Sequence, residues 1–348
     1  MIGVITMLGI VLILAILFIL FRIQVLVDVV KGNYQKQITR SSNKINAILS
    51  LLFMIASLTA FWWFSVKEFP KYNLPVASEH GVLIDNMFWV TMAITLSVFL
   101  VTQVLLFYFP FRYRYNEKNK ALYYPDNFKL EKIWTLVPAA VMTILVISGL
   151  KVWNKITSKP PDDAEIVEIM GYQFAWKTRY PGNDNSLGAF DFRLVDATNE
   201  MGVDFRDKAA FDDFIPREMH LPKGKPVLFR IRARDVIHSV YSPHFRLKMD
   251  AVPGMPTSFW FVPSKSTDDM RRETENPEFN YEIACAEVCG RGHFSMRLIV
   301  VVDEPEQYAK WKAEQKSWLS SNPDYMAKVP ENLKELALIK TGLDSRNN

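Results

Sequence analysis

The sequence predicts two unlike parts, an α-helical membrane anchor of four transmembrane helices followed by an all-β sandwich. Three observations lead there. Almost all long apolar runs of the 348-residue chain fall before residue 154. After it the sequence becomes charged and proline-punctuated, with short runs of strand-like alternation. Within that second part, two short blocks gather both cysteines of the chain with histidine and methionine.

The anchor comes first. A bilayer core about 30 Å thick takes roughly 20 apolar residues at helical rise, and four nearly uncharged segments have that length, about 2–23, 45–66, 87–110 and 133–153. Residues 2–23 read as a retained helix rather than a signal peptide, because no Lys or Arg precedes Arg22 and no small-x-small cleavage pattern follows. Basic residues flanking spans stay on the cytoplasmic side. Lys31, Lys36, Arg40 and Lys44 make the first loop basic, and Arg112, Arg114, Lys118, Lys120, Lys129 and Lys132 do the same for the third. The second balances Lys67 and Lys71 against Glu68, Glu79 and Asp85. The expected topology has the N-terminus outside, the first and third loops inside, and everything after Trp153 outside.

The soluble part begins near Ala164. Strand candidates are Glu165–Trp176, Phe190–Val195, Pro226–Arg232, Ser258–Val262, Tyr281–Ala284 and Arg297–Val302, separated by turn residues, a pattern that favours a sandwich or barrel. Residues 182–213 read as a polar, irregular insertion. Beyond Asp303 the chain turns helical and amphipathic, with Tyr308, Trp311 and Trp318 at about helical intervals, and then trails into a polar tail.

Composition excludes several classes. A net charge of +4 is too small and dispersed for nucleic acid, and no Lys/Arg cluster is interleaved with aromatics. Two cysteines in one segment are not a disulfide framework. They are Cys285 and Cys289, in the run Cys-Ala-Glu-Val-Cys-Gly-Arg-Gly-His-Phe-Ser-Met that ends with His293 and Met296. Two thiolates, an imidazole and a thioether form a soft donor set suited to copper better than zinc. Thiolates four residues apart can bridge two copper ions if a second histidine arrives, and His238 in Asp235-Val-Ile-His238-Ser is available. A disulfide or a zinc pair is the alternative. His80, His220 and His244 lie outside these blocks and are expected to pack or face solvent.

The His238 block, continuing through Tyr241-Ser-Pro243 and Lys248-Met-Asp250-Ala-Val-Pro253-Gly254, together with residues 285–296, resembles the dicopper (CuA) signature of cytochrome c oxidase subunit II. The resemblance implies a cupredoxin-like sandwich. It makes Cys285 and Cys289 the bridging thiolates, His238 and His293 the terminal imidazoles, and Met296 and the Glu287 carbonyl weak axial ligands. The Glu287 side chain would face a magnesium site shared with subunit I. Haem would lie only in that partner subunit, with the oxygen-reducing site, so no catalytic residue is expected in this chain.

The likeness extends upstream. Residues 121–138, Ala-Leu-Tyr-Tyr-Pro-Asp-Asn-Phe-Lys-Leu-Glu-Lys-Ile-Trp-Thr-Leu-Val-Pro, resemble the family's approach to its second membrane helix and put Glu131 at the mouth of a proton channel. The chain then divides into additional N-terminal transmembrane helices (1–66), the family's helical hairpin (87–153), the copper domain (154–303) and a C-terminal helix with polar tail (304–348). The implied setting is a bacterial inner membrane with the copper domain periplasmic, and the implied partners are subunit I, other oxidase subunits and a c-type cytochrome. One departure concerns that donor. Gly171-Tyr-Gln-Phe174-Ala-Trp176 resembles the family's electron-accepting aromatic segment, but its first Trp position is Phe174, and Arg234 stands where many members carry an acid. A donor tethered in a partner complex is the expectation. A copper-delivery protein, a nitrous oxide reductase and a quinol oxidase subunit fit less well, since the first needs a thioredoxin-like pattern, the second more than five histidines, and the third lacks these ligands.

Overall fold

A computed structural model describes residues 2–32, 40–116 and 118–343; Lys36 of the first loop and the end of the tail lie outside them. Four long helices come first: α1 (Ile2–Val30), α2 (Arg40–Tyr72), α3 (Glu79–Arg112) and α4 (Phe128–Ile156). All four are long and apolar enough to cross a membrane, by length and composition, and a helix satisfies its own backbone polar groups where water is absent. α2, α3 and α4 extend beyond the apolar runs that predict them at both ends, and α1 does so only at its C-terminal end, to Val30.

Two compact units result, one of residues 1–72 and 92–135, the other of 73–91 and 136–348. The second unit holds the β-sandwich. Its strands are β1 (Glu165–Tyr172), β2 (Ala175–Arg179), β3 (Met219–Pro222), β4 (Val227–Ala233), β5 (His238–Ser242), β6 (Leu247–Ala251), β7 (Thr257–Phe261), β8 (Tyr281–Cys285) and β9 (Arg297–Asp303), with a short helix α5 (Thr267–Glu273) between β7 and β8. One sheet runs β2-β1-β4-β7 and the other β3-β9-β8-β5-β6. The β1/β4 and β3/β9 pairs are parallel and the rest antiparallel. Val167, Ile169, Phe229, Ile231, Val240, Phe245, Phe261, Tyr281, Ile283 and Val300, all fully or nearly buried, fill the space between the sheets.

Five of the six expected strand runs form, and Phe190–Val195 does not. The Glu165–Trp176 run is a hairpin, turning at Gln173 and Phe174. Phe190–Val195 is not a strand. The Asp191 carboxylate accepts from the Arg193 amide and curls residues 192–194 into a 3-10 turn, leaving Phe190 a single bridge to Val203. Strands β3, β5 and β6 escape sequence reading because they are short and carry polar residues, His-Ser-Val-Tyr-Ser and Leu-Lys-Met-Asp-Ala in the last two.

The polar tail is also a correction. After α6 (Pro305–Ala313) come α7 (Trp318–Ser321) and α8 (Lys334–Thr341). Leu319, Val329 and Ala337 are buried there in a second core with Met170, Met201, Val203, Phe205, Ala210 and Phe211. Trp318 stacks on Phe205 at 5.3 Å. The irregular segment and the tail thus bury each other, and neither has a face long enough to show periodicity alone.

Candidate metal centre

Strand pairing assembles the site. β5 begins at His238, and its pairing with β8 sets Val240 opposite Cys285, which brings an imidazole beside a thiol distant in sequence. The loop after β8 is then fastened: the Ala286 amide donates to the Ser239 carbonyl (3.0 Å) and the Cys285 amide to the Met296 carbonyl (3.2 Å). A 3-10 turn at His293–Ser295 folds the loop back so that Met296 reaches the core.

The donors form one chain of contacts. Cys285 Sγ lies 3.9 Å from His238 Nδ1, 3.9 Å from Cys289 Sγ and 3.2 Å from the Glu287 carbonyl oxygen. Cys289 Sγ lies 3.7 Å from His293 Nδ1 and 4.0 Å from Met296 Sδ. Both thiols are free, so the disulfide alternative is not what the geometry presents. His238, Cys289 and Met296 are buried; Cys285 and His293 are half-buried. Burial, and then the facing Cys285 thiol, push the Cys289 thiol up to about 11. A metal bound there would displace that proton, since thiolate is the binding form. The two sulfurs between two imidazoles, with a thioether and a carbonyl behind them, fit a copper pair by donor chemistry; zinc seldom takes thioether.

A layer around the donors fixes their directions. Asp235 Oδ1 lies 2.9 Å from His238 Nε2. Partial burial opposes ionisation of Asp235, but the Gln173 amide, His238 and the Val236 amide outweigh it and hold the carboxyl below its usual range. An ionised carboxylate only accepts, so Nε2 is the donor and Nδ1 keeps its lone pair for the metal side. Gln173 Nε2 donates to the Cys289 carbonyl at 2.7 Å. The Phe174 ring lies against Gly290 and Gly292, where a Cβ on Gly292 would fall 2.5 Å from Cγ of Phe174. Asp235 and Gln173 in these roles are what sequence reading missed. Asp three residues before His is a usable signal; a contact between residues 173 and 289 has none.

The other expected residues divide. Phe174 is 37% exposed, whereas Trp176 is only 6% exposed, edge-on to His238 at 5.9 Å. Arg234 is not a bare repulsive charge: it lies over the Tyr172 ring at 4.4 Å and 3.8 Å from Glu200. The Glu287 side chain is exposed, and Glu131 lies in the first turn of α4, away from the donor cluster in sequence. His80 packs edge-on against Trp260, His220 stacks on Trp311 while meeting Asp303, and His244 meets the Pro75 carbonyl.

Comparison with known proteins identifies the chain's relatives. The family model described as cytochrome c oxidase subunit II, periplasmic domain, matches residues 165–303, and that of the subunit II transmembrane domain matches 60–152. The alternative cytochrome c oxidase subunit 2 of Bradyrhizobium diazoefficiens is 36% identical over 284 residues, covering 78% of this chain and 92% of its own. Cytochrome c oxidase subunit 2 of Thermostichus vulcanus is 29% identical over 287 residues, covering 75% and 83%. The crystal structure of the periplasmic domain of subunit II of cytochrome oxidase from Bradyrhizobium japonicum is 24% identical over 44% of this chain and 95% of its own, with a TM-score of 0.31. With anchor and β-domain both matched, and a relative of that identity aligned over most of its length, the chain belongs to the cytochrome c oxidase subunit II family.

Proposed function

We propose that this chain takes electrons from a c-type cytochrome at a dinuclear copper site and hands them to haem in subunit I, where oxygen is reduced to water. The observation that carries this is the convergence of two thiols, two imidazoles, a thioether and a carbonyl, in contacts of 3.2 to 4.0 Å. When bound, a copper pair would supply a one-electron couple, and Cys285 and Cys289 would hold it through their thiolates. His238 and His293 would hold it from either end, with Met296 and the Glu287 carbonyl as weak ligands. Asp235 and Gln173 keep the first contacts aimed, and the sandwich core keeps water from His238 and Met296. Copper-loaded full-length protein should bind two coppers per chain, with the hyperfine pattern of one electron shared by equivalent nuclei. One copper per chain with a single-nucleus pattern would reject the assignment.

The Glu287 side chain is assigned to magnesium at the boundary with subunit I. Manganese substituted there in the assembled oxidase should lose its resonance in Glu287→Gln. Loop charges favour a bacterial inner-membrane protein with the copper domain periplasmic, which puts Glu131 at the cytoplasmic end of α4 as a proton-uptake group. Electrons arrive through Phe174, the member of its pair that reaches the surface. The copper loop, whose Gly290 and Gly292 lie against Phe174, exposes Val288 and Phe294 (82% and 85%), an apolar rim that gains little from charge steering. A donor held nearby by a partner complex suits that rim, because high local concentration replaces steering. Steady-state turnover tests both assignments. Glu131→Ala should slow turnover with copper content unchanged. Oxidation of a soluble basic cytochrome c should be slow and nearly independent of salt; fast turnover falling steeply with ionic strength would remove the tethered donor.

A further inference from the structure

The anchor carries a charged cavity that copper chemistry does not use. α2 and residues 92–112 of α3 run antiparallel, with Phe53 meeting Phe107 at 5.9 Å and Phe61 meeting Phe99 at 5.8 Å. Followed to its end, that register brings Arg40 and Lys44, in the first turns of α2, beside Arg112 and Arg114 at the end of α3. Between them lies a cavity of about 750 Å³, lined also by Ser41 and Asn116.

Among the described residues no acidic side chain lines it, and none pairs with any of the four cations. Arg114 uses one N–H on the Phe111 carbonyl (2.7 Å) and lies over the Phe111 ring at 4.9 Å, which leaves most of its donors for another acceptor. Four like charges gathered on one cavity repel, so the arrangement gains from an anion. Membrane topology requires basic residues on one side but not their convergence on one cavity. The depth is marked as well. Phe109, Tyr113 and Tyr115, all exposed, ring the same helix end, and aromatic side chains collect where hydrocarbon gives way to headgroups.

We propose that this cavity binds the phosphate of an anionic phospholipid headgroup, held by the guanidinium forks of Arg40, Arg112 and Arg114 with Lys44 as a further charge. The site stands independently of the copper assignment.

Native mass spectrometry of the full-length chain in detergent, offered phosphatidylglycerol or phosphatidylcholine, tests it. Phosphatidylglycerol should be retained preferentially. Arg40→Gln with Arg112→Gln should lower that preference roughly twenty-fivefold, about fivefold per cation removed. The corresponding pair of lysine substitutions should keep most of it, and Lys67→Gln with Lys71→Gln, at the other end of α2, should leave it unchanged. Equal retention of both lipids, an undiminished preference in the glutamine pair, or equal loss in the lysine pair would overturn the proposal. Complete displacement by millimolar inorganic phosphate would assign the cavity to free phosphate instead.

Discussion

Cys289→Ser is expected to abolish the copper pair, while Met296→Leu leaves it assembled with a shifted potential. Cys289 Sγ is in contact with three other donors, Cys285, His293 and Met296, so its loss opens the cluster at its centre. Serine keeps the size but not the chemistry, since its hydroxyl stays protonated and is a poor bridge for a soft metal. The Met296 thioether meets the other donors at Cys289, at 4.0 Å, its contacts with Cys285 and His293 being backbone ones that leucine keeps, and leucine fills its buried place with nearly the same volume, a swap that cores tolerate. Asp235→Asn belongs between the two. It replaces the carboxylate that fixes the His238 ring with a neutral amide, whose NH2 would face an N–H that a carboxylate oxygen now accepts, and losses of about 10- to 100-fold in metal affinity are usual for such changes. Copper per chain and the resonance spectrum order the three variants. Equal copper in Cys289→Ser and Met296→Leu would contradict the bridging role.

The copper loop was legible because its chemistry is local: Cys285, Cys289, His293 and Met296 lie in one short run, and their types alone select a soft metal. His238 needed the second block, and the strand pairing that brings it to Cys285 could not be read, since β5 is too short and polar to announce itself. The anchor was legible for a different reason. Bilayer thickness sets a length that apolar runs either meet or do not. What stayed hidden was long-range and polar. Gln173 reaches the Cys289 carbonyl, Arg234 is occupied by Tyr172 and Glu200, and Trp318 lies on Phe205; no periodicity encodes such contacts. The donor question changes accordingly. An Arg234 already engaged repels an incoming basic protein less than its sequence position suggests, so the case for a tethered donor moves to the apolar rim of the copper loop.

Glu168→Leu is expected to destabilise the β-domain by about 3–5 kcal/mol, the cost of breaking a buried pair from one side. Glu168 on β1 lies between two buried arginines, accepting from Arg179 Nε at 2.7 Å and Arg232 Nε at 2.8 Å. The two arginines have further partners: Arg179 reaches Asp213 and the Gly188 carbonyl, and Arg232 the Met201 carbonyl and Met170 Sδ. This group joins the sandwich to the second core, and without Glu168 two buried guanidiniums are left facing each other. Burial by itself raises the Glu168 pKa, but Arg179 and Arg232 reverse the effect and hold it at about 2, against an ordinary 4.5. A depressed folded-state pKa gives stability that is complete above about pH 4.5 and lost as pH falls toward 2. Asp213 works oppositely: burial outweighs Arg179 and raises it to about 7, so its contribution is present below about pH 4 and lost as pH rises through 7. Thermal unfolding of the full-length chain, followed by the β-domain tryptophans, should fall in midpoint by roughly ten degrees or more in Glu168→Leu and lose much of its dependence on pH between 2 and 4.5. Asp162→Ala, which breaks the exposed pair with Lys159, should change neither. A Glu168→Leu protein that unfolds like the parent would show that the two arginines find other partners or water, and that the network does not hold the two cores together.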